Sequence, residues 1–297
     1  MKAAIGVTDA NWAAYLRDRP HLTEANFWVP RPRATWRVAD QGSAFLFKTH
    51  WPANQLVGGG FVSGYAQLRV SEAWELFGEG NGVESHADLL RAIAAYRKDR
   101  DPDPLIGCLL LRDLFFAREG TELDGPADFA KNIVQWKSYA ADGSTIEEAM
   151  VALLARSLPR GGDSPTYGDP RLMVPRVGQI AFRGLVLDAY QRRCAITGDR
   201  IRPVLQAAHI RPISREGKHR VSNGLLLRSD VHTLFDEGYL GIDEKHRLHV
   251  SPKLRTEFGN GTEFYARAGE PIAVPAKRAD RPEPDAVTWH MDEVFLR

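Results

Sequence analysis

The stretch CAITGDRIRPVLQAAHIRPISREGKHRVSNGLLLRSDVHTLFD, residues 194–236, decides how this chain is read. Short apolar runs at Val204-Leu205 and Leu225-Leu226-Leu227 enclose a polar loop, and Val231, Leu234 and Phe235 follow Ser229-Asp230 at helical spacing. Apolar runs bounded by Gly and Asn predict strands, and Ser-Asp ahead of a helical pattern predicts a helix N-cap. The prediction is strand, loop, strand, helix. His209 closes the first strand and His232 sits on the first helical turn.

Thirteen residues separate His209 from Asn223, and eight separate Asn223 from His232. Hydrolysis of a phosphodiester needs a base for water, a cation for the developing charge, and a group that holds the base in place. A neutral imidazole accepts a proton from water, which makes His209 the candidate general base. The Asn223 amide both donates and accepts, so it is suited to pin the loop that carries His209. His232 and Asp236 stand at i and i+4 on the helix, share one face, and are placed to share a divalent ion.

The phrases QAAHIRP (206–212), SNGLLLRSDVHTLFDEG (222–238) and GQIAFRGLVLDAYQRRCAITG (178–198) resemble the HNH endonucleases of the ββα-metal fold, over residues 178–243. The resemblance implies His209 as general base, Asn223 as the middle Asn and His232 as the metal-binding last His, with Mg2+ or Mn2+ as the expected ion. Many members carry an acidic residue or His before the catalytic His, whereas this chain has Ala208. Asp236 is therefore the first choice for a second ligand and Asp230 the runner-up, with helix capping as the other role of Asp230. Many members also hold a structural zinc on two Cys-x-x-Cys pairs. Here Thr197, Arg228 and Val231 stand at three of those places, so no structural zinc is expected and apolar packing by Leu225, Leu227, Leu234 and Phe235 is expected instead.

Outward from this core, residues 171–220 hold eleven Arg or Lys against Asp188, Asp199 and Glu216, within a chain whose net charge is only +1. The local excess suits phosphate, with Arg211 and Arg228 nearest the site. Length and composition, 297 residues with 43% hydrophobic and 26% charged, predict a soluble two-domain protein. Two cysteines, no apolar run long enough to span a bilayer and no signal pattern predict a cytoplasmic protein without a disulfide framework.

Residues 1–144 have a different texture. Aromatic runs at 27–30, 45–48 and 57–62 predict short strands with tight turns, 73–77 and 87–96 predict helices, and 105–111 and 133–136 predict further strands. FWVPRP (27–32), SAFLFKTHWPANQLVGGGFV (43–62) and SEAWELFGEGNGV (71–83) resemble the PUA-like superfamily, in particular its EVE-type domains. That resemblance implies a mixed β-barrel with helices whose pocket receives a flipped, modified base, with Trp28, Trp36, Phe47 and Trp51 nearest the pocket. Lys48 and His50, which follow a strand, read either as phosphate contacts or as solvated residues.

Ile146, Met150, Leu153 and Leu154 predict a connecting helix over 145–158, and the Gly- and Pro-rich stretch 159–177 predicts a linker. A helix over 180–190 enters the nuclease domain, 178–297. Near the end, 240–250 reads as a hairpin about Asp243-Glu244 and 273–285 as a surface wrap, with His246 and His249 outside the site. The fold class is thus α+β: a PUA-like reader (1–144), a helix and linker (145–177) and an HNH domain (178–297). The expected function is metal-dependent cleavage of double-stranded DNA carrying modified cytosine, by two chains acting together. A reader without cleavage, and an HNH nuclease indifferent to modification, are the alternatives.

Overall fold

The structure is a computed structural model that describes residues 2–34, 36–99, 101–133, 135–140, 144–157 and 178–297. The predicted linker, 159–177, lies outside the described residues. The chain divides into two compact units, Met1–Ala181 and Phe182–Arg297.

In the first unit the order is β1 (Lys2–Thr8), α1 (Ala10–Arg17), β2 (Glu24–Val29), β3 (Ala44–Thr49), β4 (Gln55–Arg69), α2 (Val70–Phe77), α3 (His86–Ala94), β5 (Leu105–Phe116), β6 (Leu123–Asp124), β7 (Trp136–Ala140) and α4 (Ser144–Ser157). The strands form one mixed sheet in the order β2-β5-β4-β3-β1-β7, with β6 beside β4. β1 and β3 run parallel, and the other pairs are antiparallel.

Both faces of this sheet are buried, which is why its strands read as unbroken apolar runs rather than alternating ones. Ala4 of β1 and Phe45 and Phe47 of β3 point to one core, which Trp12, Ala13 and Leu16 of α1 cover. Ala3, Ile5, Val7 and Leu46 point to the other, covered by Ile146 and Leu153 of α4. The strand period of two sends neighbouring residues to opposite layers.

The run Gly58-Gly59-Gly60 lies, as the strand predicted over 57–62 expects, inside β4, which extends well beyond it to 15 residues. A Cβ on Gly58 would stand 2.4 Å from the Phe115 carbonyl oxygen, and one on Gly59 would stand 2.7 Å from the Phe115 ring. The glycines let β4 pass between crowded neighbours, and its register against β5 shifts beside them. The strand predicted over 133–136 begins instead at Trp136, because Ile133 closes a turn onto the Ala130 carbonyl.

α5 (Gln179–Ala189) begins at the end of the first unit, and the second unit continues with β8 (Leu205–His209), β9 (Gly224–Arg228), α6 (Ser229–Asp236), β10 (Leu240–Ile242), β11 (Leu248–Val250), α7 (Lys253–Phe258), α8 (Thr262–Tyr265) and α9 (Pro284–Glu293). β8 and β9 form one antiparallel hairpin, β10 and β11 another. Ala208, Leu225, Leu227, Val231 and Phe235 are fully buried and join α6 to the first hairpin. The stretch 273–285 ends where α9 begins, at Pro284, and in α9 His290 is buried with its ring stacked 3.8 Å from that of Phe235. Among the described residues no helix is long and apolar enough to cross a membrane.

Candidate functional site

The first hairpin pairs Leu205 with Arg228 at one end and His209 with Gly224 at the other. A Cβ on Gly224 would fall 2.9 Å from the Phe182 ring, so glycine there admits that ring to the His209 end. Phe182 stacks on His209 with centroids 4.0 Å apart and planes 8° from parallel.

Asn223 is 1% exposed and fastens the loop between the strands. Its Oδ1 accepts from the Arg211 N–H at 2.9 Å, and its Nδ2 donates to the Arg211 carbonyl at 2.9 Å and to the Lys218 carbonyl at 3.1 Å. The Ile210 N–H donates to the Asn223 carbonyl at 3.0 Å. One amide thus closes both ends of the loop and fixes the strand terminus that carries His209. His209 Nε2 lies 3.1 Å from Nδ1 of His219, a loop residue the motif spacing did not single out.

His232 projects from α6 toward β8. Its Nδ1 donates to Gln206 Oε1 at 2.8 Å, and its Nε2 lies 3.2 Å from Asp236 Oδ2. With Nδ1 protonated, Nε2 and the carboxylate oxygen are two electron-pair donors facing one another, an arrangement that calls for a cation. Neighbouring ligands of an ion at about 2.1 Å stand about 3 Å apart in octahedral geometry, which the observed separation matches. His232 and Asp236 therefore fit a divalent ion that takes its other ligands from water and phosphate. No group of three or more His, Cys, Asp or Glu capable of holding a metal occurs among the described residues.

Asp230 is engaged elsewhere. Its two oxygens accept from Arg228 Nε at 2.7 Å and Nη2 at 2.8 Å, and the guanidinium holds the carboxyl below the usual carboxylate range. Nor is Asp230 the cap: α6 begins at Ser229 with Arg228 in the N-cap position. Arg228 Nη1 also reaches Asp199 at 2.7 Å, so the guanidinium assigned above to phosphate is occupied by two carboxylates. Cys194, where zinc-bearing relatives have a ligand, is fully buried and its Sγ accepts from the N–H groups of Thr197 at 3.4 Å and Arg228 at 3.3 Å. Arg211 donates to the Arg215 carbonyl at 2.5 Å and lies 3.3 Å from Glu216.

The first unit contains a cavity of about 460 Å3, within the range of small-ligand sites. Trp12, Phe27, Trp28 and Trp136 supply its aromatic wall, and Asp9, His50, Gln135, Arg31 and Arg33 its polar groups. The indole N–H groups of Trp12 and Trp28 both donate to the Asn81 carbonyl, at 3.0 and 3.1 Å. Asn81 is itself buried and donates to the Ala73 and Gly78 carbonyls. Next to it Gly82 has φ +77°, and a Cβ there would fall 2.0 Å from the Trp12 ring. Asp9 Oδ1 is 3.4 Å from His50 Nε2.

Of the four aromatics placed nearest the pocket by sequence, Trp28 lines this cavity. Trp36 stands one ring behind it, stacked on Tyr65 and edge-on to Trp136. Phe47 is fully buried in the core, and Trp51 is 56% exposed beneath Lys131. Lys48 is neither solvated nor placed for phosphate: it is 4% exposed, donates to the Thr49 carbonyl at 3.0 Å, and burial pushes its pKa down. Trp12, Trp136, Asn81 and His219 carry no motif. Their places follow from which distant elements pack together.

A family profile described as HNH endonuclease matches residues 194–243, so the chain carries an HNH endonuclease domain across the hairpin and α6. No curated protein matches the chain. Among solved structures it is similar to the modification-dependent TagI restriction endonuclease, with 23% identity and a TM-score of 0.30 over 38% of this chain and 37% of that one. It is also similar to ASCH from Zymomonas mobilis, with 12% identity and a TM-score of 0.34 over 52% of this chain and 94% of that one. The chain thus spans 37% of the length of the TagI enzyme.

Proposed function

We propose that this protein is a modification-dependent DNA endonuclease. Its second unit hydrolyses the phosphodiester backbone, and its first unit, a PUA-like reader, receives a flipped, modified cytosine. The observation that carries the nuclease half is the Asn223 clamp on the loop that follows His209, inside the stretch matched by the HNH profile.

In this reading His209 takes a proton from water, the water oxygen bonds to phosphorus, and the P–O3′ bond breaks with the electron pair leaving on the 3′ oxygen. Asn223 holds the loop so that the imidazole meets the water in one orientation. His232 and Asp236 would hold a divalent ion, Mg2+ or Mn2+, whose positive charge stabilises the charge that develops on the phosphate. The loop cations Arg211, Arg215, Lys218 and Arg220, against the single carboxylate Glu216, attract the backbone.

The reader half is supported by the cavity's size and lining. Extruding a base costs a few kcal/mol of stacking, and the faces of Trp12, Trp28 and Trp136 recover part of it. Asp9 supplies an acceptor for an exocyclic amino group such as that of cytosine. Two copies acting in the cytoplasm would cut the two strands. A reader that does not cut is favoured by one observation, the fully buried Ala208 at the position where a second metal ligand would stand.

The test is cleavage of matched duplexes, unmodified or carrying methyl-, hydroxymethyl- or glucosyl-cytosine, with Mg2+, Mn2+ or chelator. Metal-dependent cutting of modified duplexes alone supports both halves. Equal cutting of all leaves a nuclease without selection, and binding of modified DNA without any cutting leaves the reader.

A further inference from the structure

A base that leaves the duplex for a pocket leaves a gap in the stack, and the lost stacking must be offset by the protein. One side chain beside the cavity of the first unit is suited to that task. All seven tryptophans of the chain lie among the described residues, and six of them are buried or half-buried, whereas Trp51 is 56% exposed. Exposure of a single apolar side chain is ordinary. Trp51, however, also stands at the edge of the cavity.

Two separate segments establish that place. His50 and Gln135 both line the cavity and are both exposed, which puts them at its mouth. Trp51 directly follows His50, about 3.8 Å on from Cα to Cα. Lys131 precedes Gln135 by four residues. The two segments meet where Lys131 Nζ lies 3.8 Å from the centroid of the Trp51 ring.

The turn that carries Trp51, between β3 and β4, is braced at both ends. The Asn54 N–H donates to the His50 carbonyl at 3.0 Å, and the Gln55 N–H donates to Thr49 Oγ1 at 2.9 Å. The Gly125 N–H donates to the Asn54 carbonyl at 2.7 Å. Asn54 has φ +52°, in the left-handed region that asparagine visits more readily than most residues. An indole presented on a fixed turn has less freedom to lose when it stacks on a partner.

We propose that Trp51 is a wedge: as the modified cytosine enters the cavity, the indole enters the duplex and stacks in the space the base has left. The inference rests on the reader reading above and deepens it, because it makes double-stranded DNA the form of substrate that the first unit is built to open. Apolar side chains inserted at base steps offset unstacking, and an aromatic face stacks on any base, so the wedge imposes no sequence of its own. The Lys131 ammonium beside the ring adds positive charge for the phosphates of the opened step. Trp28 and Trp51, both placed at the pocket by sequence, thus divide the work: Trp28 faces the extruded base, and Trp51 faces the neighbours it left.

The experiment measures binding by the full chain in chelator, so that nothing is cut. The probes are oligonucleotides with one methyl-, hydroxymethyl- or glucosyl-cytosine, or none, each as a duplex and as a single strand. A single strand offers its base without unpairing and leaves no gap between paired neighbours. Trp51→Ala, Trp51→Phe and Trp28→Ala are compared with the wild type, and thermal midpoints report folding.

The expected wild type prefers a modified duplex to its unmodified counterpart. Trp51→Ala binds that duplex about 10- to 100-fold more weakly yet binds the modified single strand as the wild type does. Trp51→Phe recovers most of the loss, and Trp28→Ala weakens both forms. Equal losses on duplex and single strand in Trp51→Ala would make Trp51 a pocket wall or a single-strand platform and overturn the wedge. Wild-type duplex affinity in that variant overturns it as well, and so does a wild type that prefers the modified base only in single strands. If the wild type prefers no modified cytosine in either form, the reader reading fails and the wedge falls with it, a pattern distinct from a preference that survives the loss of Trp51.

Discussion

The two ends of the hairpin β8/β9 are four residues apart on one ladder and make different contacts. At the Leu205–Arg228 end one guanidinium faces Asp199 and Asp230, with Glu263 3.6 Å away, so acids outnumber the base. At the His209–Gly224 end the contacts include a stacked phenyl, a second imidazole and an amide clamp, while the adjoining loop has a surplus of cations. The guanidinium at the first end is held by carboxylates, whereas the loop at the second end keeps more cations than acids. The contrast separates scaffold from chemistry within one small motif. α6 starts at the scaffold end and returns His232 to β8 at Gln206.

Breaking the chemical side has the largest expected effect. His232→Ala removes the imidazole of the pair proposed to hold the ion and is expected to lower cleavage about 100-fold or more, equivalent to about 3 kcal/mol of transition-state stabilisation. Single-turnover rates over a Mn2+ titration check it, and a wild-type metal response would remove His232 from the site.

Asn223→Ala comes next. Three side-chain hydrogen bonds are lost at a buried position, for an expected cost of about 1–3 kcal/mol in folding and a fall in rate of about 10- to 100-fold. Denaturant melts beside cleavage assays separate the two losses. Unchanged activity in the folded variant would show that the loop holds itself.

At the scaffold end, Arg228→Met is expected to lower stability by about 1–2 kcal/mol, discounted because the arginine side chain is 25% exposed, and to leave the rate per folded molecule unchanged. A selective loss of rate would return Arg228 to the phosphate site and erase the contrast.

The smallest effect concerns pH. Burial lowers the proton affinity of His290, so the unfolded chain, with a pKa of about 6.5, takes up the proton before the fold does. Stability is then complete above about pH 6.5 and declines on acidification, by no more than about 1.4 kcal/mol per pH unit. Melts in chelator at pH 8 to 5 are expected to show this slope, and His290→Phe, which keeps a ring against Phe235, is expected to flatten it.

The ββα unit was legible because its chemistry lies within one stretch, where spacing alone brings His209, Asn223 and His232 to a common hairpin and helix. The place of Arg228 was not, since a basic residue reads as free until its partners are known. Asp199 stands 29 residues away in sequence and meets Arg228 only once the knuckle at Cys194 forms. The first unit was harder for the same reason. β1, buried on both faces, shows no alternation, and the reason for three glycines inside β4 is visible only once Phe115 is placed against them. Trp12 and Trp136 come from opposite ends of that unit and meet at the cavity through packing. Local pattern reveals a motif, whereas a wall built from distant elements needs the fold.

The most direct measurement of the central claim is single-turnover cleavage by His209→Ala beside its affinity for the same duplex. The account predicts a rate lower by about 10²- to 10⁴-fold with binding unchanged. Cutting at the wild-type rate would contradict it and move the base to another residue.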